Sequence, residues 1–156
     1  MIKTITLLSI LGMSILFAGY NLHGGRQAEF NRASAADARV IVEEYSRAVR
    51  VGDRPLLETL MHASASKQEY VRFRLHESYG LYDYDRHKMI TEPRFSAPEW
   101  ASVESKPERI EILTSTEMTA SASLSSVWGT EYLHLLRVRG TWQIVHVLGI
   151  DPGRAH

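Results

Sequence analysis

Glu131-Tyr132-Leu133-His134-Leu135-Leu136-Arg137-Val138, then Arg139-Gly140, then Thr141-Trp142-Gln143-Ile144-Val145-His146-Val147, is the stretch that sets what kind of domain this is. Two alternating runs flank a short turn containing glycine, which is a β-hairpin signature. Upstream lies an amphipathic helix, expected from Ala36 to Val51. Ile41, Tyr45, Ala48 and Val49 share one face at helical spacing, and Glu43, Arg47 and Arg50 lie opposite. Ser34 or Asp37 is a candidate cap, because a short side-chain oxygen satisfies a free amide of the first turn. Gly52 ends the helix in a left-handed conformation. Asp53 then caps a second helix with Pro55 just inside it, and Leu56, Leu57, Leu60 and Met61 supply the buried side. Helices first and long strands last is an α+β order.

Between these ends the signals are weaker. His62 to Gln68 is small and polar and reads as a loop. Glu69 to Leu75 alternates as a strand. Ser78 to His87 carries Tyr79, Tyr82 and Tyr84 and fits either a strand or an aromatic loop. Ser96 followed by Glu99 is a capping box that opens a helix from Ala97 to about Glu104, with Trp100 on it and Pro107 beyond its end. Arg109 to Ser115 and Met118 to Trp128 read as strands. The second places Ala120, Ala122, Leu124 and Ser126 on one face, and small residues on a central strand mark a bend or a close approach.

The N-terminus has a different character. Lys3 precedes an uncharged run from Thr4 to Gly25, whose apolar heart is Ile5 to Ala18. That heart has the length of a signal-peptide core and falls short of the ~20 apolar residues of a spanning helix. Leu16-Phe17-Ala18 is a poor cleavage site, and Ala33-Ser34-Ala35 is a better match far downstream. Residues 1–20 are therefore expected to be a signal peptide or an uncleaved anchor, 21–35 a linker, 36–150 the folded domain and 151–156 a tail. An exported domain follows, periplasmic or secreted, touching a membrane only through an uncleaved N-terminal segment.

Composition excludes several functions. Lysine plus arginine and aspartate plus glutamate both number 18, so the basic excess of a nucleic-acid binder is absent. The chain has no cysteine, hence no disulfide, thiolate site or thiol nucleophile. No Gly-x-Ser-x-Gly elbow or phosphate-cradling loop occurs. His76-Glu77 lacks the second histidine of a helical zinc motif, and Asp83, Asp85 and His87 read as a solvated acidic loop. No metal and no organic cofactor is expected.

Val40-Ile41-Val42-Glu43-Glu44-Tyr45-Ser46-Arg47-Ala48-Val49-Arg50-Val51-Gly52-Asp53, with Leu56-Leu57 after it, resembles the opening of the nuclear transport factor 2-like superfamily. Tyr132 to Val145 resembles its end. The branch most similar is the "putative lumazine-binding" group, itself similar to the SnoaL-like polyketide cyclases. The resemblance spans about Val40 to Val147 and rests on the two ends, since Lys67 to Lys106 matches nothing in the pattern. It implies a cone: a curved antiparallel sheet of cystatin-like topology wrapped around the N-terminal helix and enclosing a cavity. Members of the superfamily include isomerases, dehydratases and cyclases, pure ligand binders, and modules that dimerise through the outer sheet face.

The resemblance also marks residues. Tyr45 falls where ketosteroid isomerases hold the tyrosine that donates to a forming oxyanion, a strong catalytic device. Glu69 falls at their carboxylate base, and their second carboxylic acid has no counterpart. The bland alternatives are a core tyrosine and a surface carboxylate. His134 and His146 are candidates for acid–base work or for holding a metal, if they meet inside the cavity. With Arg139-Gly140 alone as the loop, Leu133 faces His146; with Thr141 added, His134 faces His146.

The expectation is an exported small-molecule-binding domain, non-catalytic and homodimeric, taking a small hydrophobic or aromatic ligand. Its pocket walls would be Tyr45, Trp100, Trp128, Tyr132, His134 and His146. The second reading is a proton-transfer isomerase, dehydratase or cyclase using Tyr45, Glu69 and His146. The third is a dimerisation module whose cavity is filled by its own side chains.

Overall fold

The structure is a computed structural model that describes residues 28–73, 78–91, 109–126 and 129–151. Helix α1 covers residues 28–51. Ala38, Val42, Tyr45, Ala48 and Val49 are buried along it at intervals of three and four, one face of a helix. The helix includes residues 28–35, where a linker was expected. Ser34 continues the buried stripe one turn before Ala38, and the alanines around it favour helix over coil. Ser34 and Asp37 are thus inside the helix rather than at its cap. Asp37 instead pairs with Arg137, 2.8 Å away on the sheet.

The helix ends as its sequence predicts. Gly52 takes a φ of 69°, and the Asp53 amide donates to the Ala48 carbonyl at 2.9 Å, a Schellman closure. The Asp53 carboxylate accepts from the Leu56 amide at 3.1 Å and starts α2, Arg54–Leu60. Strand β1, Met61–Phe73, follows with no loop. His62 to Gln68 is therefore strand and not the expected loop. Its small residues have weak preferences of their own, and Ser66 to Gln68 are set by pairing with a strand on each side.

The remaining elements are β2 (Ser78–Asp85), α3 (Arg86–Thr91), β3 (Arg109–Ser115), β4 (Thr119–Ser126), β5 (Gly129–Val138) and β6 (Thr141–Asp151). Ser78 to Asp85 resolves as strand. Asp85 caps α3 by accepting from the Lys88 amide at 2.8 Å. The expected helix at Ala97–Glu104 lies outside the described residues. The strands form one sheet in the order β2-β1-β6-β5-β4-β3. Every pairing is antiparallel except β1 with β6, which run parallel. The sheet is curved and unclosed, and α1 lies in its concave side. Tyr45, Leu57, Leu124, Leu133, Leu135, Ile144 and Val147 form the fully buried centre. Each large aliphatic side chain there contributes roughly 1.5–3 kcal/mol through burial.

The final hairpin takes a route of its own. Arg139 and Gly140 have φ of 51° and 86°, the two positive values of a tight two-residue turn, and Val138 faces Thr141. That turn alone would place Leu133 opposite His146. Instead the register slips between Leu135↔Ile144 and His134↔His146, leaving Val145 as an extra residue. The β-bulge produces the pairing that the longer loop would have given. Leu133 and Val147 stay buried, so the two histidines project from the opposite, convex face.

Candidate functional site

Strand alternation brings charged groups to the concave face. On β1, Lys67 and Glu69 share the face of buried Ala65. On β5, Glu131 is in phase with buried Leu133 and Leu135. Between these strands runs β6, and Gly149 is the register partner of both Glu69 and Glu131. A Cβ at position 149 would lie 3.3 Å from Glu69 Cγ and 3.3 Å from Lys67 Cε. The missing side chain leaves the space in which the two glutamates and the lysine converge.

Lys67 Nζ pairs with Glu131 Oε1 and lies 3.8 Å from Glu69 Oε1. The Tyr45 hydroxyl, arriving from α1, donates to the same Glu131 oxygen at 3.4 Å. Glu69 and Glu131 are only 5% and 2% exposed. Charge so placed must be paired, because desolvation costs several kcal/mol per ion. Glu131 Oε2 is buried with no hydrogen-bond partner among the described residues. Tyr82 stands directly opposite Glu69 on β2 and is 40% exposed, so the concave face meets solvent beside the cluster.

The tyrosine is held in its protonated form. Burial raises its pKa well above 10.0, and the charge and hydrogen bond of Glu131, then the charge of Glu69, push in the same direction. The cluster therefore offers a phenolic donor and an ammonium donor beside two buried carboxyl groups. That set can orient a polar group of a ligand, or relay a proton between a bound molecule and a carboxylate.

The sequence profile of the family described as "Putative lumazine-binding" matches residues 33–148. The chain belongs to that family. Among solved structures, a nuclear transport factor 2-like protein of unknown function from Silicibacter pomeroyi is 23% identical, with a TM-score of 0.55 over 73% of this chain and 92% of that one. A nuclear transport factor 2-like protein with a cystatin-like fold from Novosphingobium aromaticivorans is 14% identical, with a TM-score of 0.55 over 85% of this chain and 89% of that one. A third, of unknown function, from Shewanella baltica, is 17% identical with a TM-score of 0.52, covering 70% and 86%. These likenesses establish the fold. No curated protein matches the chain.

In this member of the lumazine-binding family, Tyr45 and Glu69 occupy one compartment, linked through Glu131 and Lys67. Three residues expected in the pocket wall are corrected. Tyr132, His134 and His146 project from the convex face, because Glu131, Leu133, Leu135 and Val147 take the concave positions of β5 and β6. His146 is thus removed from the candidate catalytic set. Trp100 and Trp128 lie outside the described residues. Lys67 and Glu131 were not anticipated. Lys67 was hidden by its assignment to a loop. Glu131 carried a readable signal, since it alternates in phase with Leu133 and Leu135.

A shallow groove of about 510 Å³ lies where β1, β2 and α3 meet, lined by Ala63 to Ser66 and Asp85 to His87. None of the four cluster residues lines it. Its charged groups serve the fold: Asp85 caps α3, and Arg86 donates to the Glu58 carbonyl at 2.7 Å. Among the described residues no group of three or more histidines and carboxylates is placed to hold a metal.

Proposed function

We propose that the chain is a small-molecule-binding domain whose ligand enters the concave side of the sheet and meets the cluster of Tyr45, Lys67, Glu69 and Glu131. The observation that carries this reading is Glu131: a carboxyl group 2% exposed, with one oxygen engaged by two donors and the other without a partner among the described residues. A buried acceptor in that state costs about 1–3 kcal/mol, which a ligand N–H or O–H recovers. Tyr82 supplies a half-wet aromatic surface for a hydrophobic or aromatic body. Native mass spectrometry of the purified chain tests the reading. A small-molecule adduct that is lost in Glu131→Gln and Tyr45→Phe is expected. A chain that is empty, and whose melting no metabolite panel shifts, overturns it.

The second reading is proton transfer, favoured by Tyr45 and Glu69 meeting in one cluster. A protonated phenol beside a carboxylate is the pairing that polarises a carbonyl and removes an adjacent proton. Deuterium uptake from solvent next to the carbonyl of a bound ketone, abolished by Glu69→Gln, would establish it; unchanged uptake in that variant would reject it.

We further propose that two copies associate through the convex face. Tyr70, Leu81, Tyr132 and Ile150 are exposed there, an apolar surface that a second copy would cover. Export rests on the leader-like run from Ile5 to Ala18, as a cleaved signal or a retained anchor. Protease accessibility in intact cells, with and without outer-membrane permeabilisation, reads the compartment.

A further inference from the structure

The convex face carries a feature that the concave site does not use. His134 and His146 face each other on β5 and β6, their ring centres 5.9 Å apart and their planes tilted by 32°. Ser66, the register partner of His146 on β1, has its hydroxyl 3.1 Å from His146 Nδ1. We propose that this pair is a binding site for a divalent transition-metal ion, with His134 and His146 as its two protein ligands.

The geometry suits one ion between the rings. Imidazole nitrogens bind zinc at about 2.0–2.1 Å, which sets two ring centres on a shared ion roughly 5–6 Å apart. Both rings stand on paired strands, so little is lost in bringing them together, and the Val145 bulge is what puts them in register. Ser66 completes the arrangement. Metal-bound histidines use their other ring nitrogen in a hydrogen bond that fixes the tautomer and the ring orientation. With Nδ1 of His146 engaged by Ser66, Nε2 is the nitrogen left to bind the ion. His134 is exposed and His146 half-buried, so an ion has access.

The ligand set defines the kind of ion. Two neutral imidazoles favour copper(II), nickel(II) or zinc(II) over magnesium and calcium, with copper(II) bound most tightly. Asp85 is the next charged group along the same row, opposite Ser66 on β2. It lies two strand spacings from His146, about 10 Å, too far to ligate directly. Water, or a donor from a second copy on the same face, fills the remaining positions.

Copper(II) chloride and zinc chloride titrated into the full chain test the site by calorimetry and, for copper, by electron paramagnetic resonance. The expected result is one ion per chain, or one per two chains if a second copy contributes, with nitrogen hyperfine structure in the copper spectrum. His134→Ala and His146→Ala are each expected to weaken binding tenfold or more. Ser66→Ala should weaken it while leaving the nitrogen signature in place. Both histidines are outside the core, so folding of the variants is checked by an unchanged melting curve without metal. Unchanged copper affinity in the double variant His134→Ala/His146→Ala, or a spectrum without imidazole nitrogen, overturns the proposal.

Discussion

Glu69 and Glu131 sit on different strands, yet each is the register partner of the same residue, Gly149, from opposite sides. In a sheet, residues that flank one position on one face normally hold three side chains abreast. Here the middle one is absent, and Lys67 folds across the gap to reach both carboxyl groups. The cluster is therefore a property of the glycine as much as of the charges.

Gly149→Ala should destabilise the protein by about 1–3 kcal/mol through overpacking. The added methyl would press on Glu69 Cγ and Lys67 Cε at 3.3 Å. Gly140→Ala makes the contrast. Among the described residues nothing lies within 4 Å of a Cβ added there, but a φ of +86° strains an ordinary L side chain. Asparagine, which tolerates a left-handed backbone, should be accepted at 140 and rejected at 149. Urea midpoints of the four variants decide it; equal tolerance of asparagine at both positions would contradict the crowding.

Tyr45 should make stability fall at alkaline pH. Its pKa in the folded protein is raised above the value of 10.0 that applies to an unfolded chain. Between those two values the unfolded chain releases the phenolic proton and native Tyr45 keeps it. The unfolded state then binds fewer protons, and stability declines as pH rises, by up to about 1.4 kcal/mol per pH unit. Below pH 10 this contribution is fully present. Tyr45→Phe should cost about 1 kcal/mol near neutrality and flatten the decline between pH 10 and 11. Parallel melting curves for the two proteins across that range would show that Tyr45 ionises like an exposed tyrosine.

Much of this architecture is legible in the chain because it is written in local chemistry. Gly52-Asp53 spells a helix stop and a cap, and both form. The hairpin around Arg139-Gly140 is announced by alternation and by a glycine suited to positive φ. What escapes is non-local. Ser66 to Gln68 are fixed as strand by pairing with β2 on one side and β6 on the other, and residues 62–65 fall in the irregular stretch between the Met61 and Ser66 pairings with β6. The Val145 bulge has no signature in its own residues, yet it reverses the naive pairing of the histidines. The candidate site shows the same division. Tyr45 and Glu69 are found through family likeness, whereas Lys67 enters only once its segment is known to be a strand. Glu131 was within reach, being a charged residue at a core phase.

Association of two copies should depend on one apolar patch of the convex face. Tyr70 pairs with Leu81 on β2 and with Ile150 on β6, and Tyr132 faces Leu148 beside them. Tyr70 and Tyr132 are 44% and 39% exposed, so a charge at either is solvated in the monomer and buried in a dimer. Tyr70→Glu combined with Tyr132→Glu should convert a dimer to a folded monomer in analytical ultracentrifugation, with an unchanged circular dichroism spectrum. A wild-type chain that sediments as a monomer at high concentration, or a variant that stays dimeric, would remove this face from consideration.

Lys67 offers the sharpest test of the interior cluster. Its ammonium sits between Glu69 and Glu131, and all three side chains are close to fully buried. Lys67→Met keeps the length and apolar stem of the side chain and removes the charge. It leaves buried carboxyl groups short of their partner, a loss of about 3–5 kcal/mol in comparable buried pairs. Glu131→Gln in the same chain removes one of those carboxyl charges, so the double variant should regain part of the loss. The coupling energy of the cycle should be about 0.5–3 kcal/mol and favourable. Additive losses would mean that Lys67 and Glu131 do not depend on each other in the folded protein. The shared lysine could then not be what holds the Glu131 carboxyl in place beside Tyr45, and the donor set assigned to the concave face would have to be redrawn around Glu69.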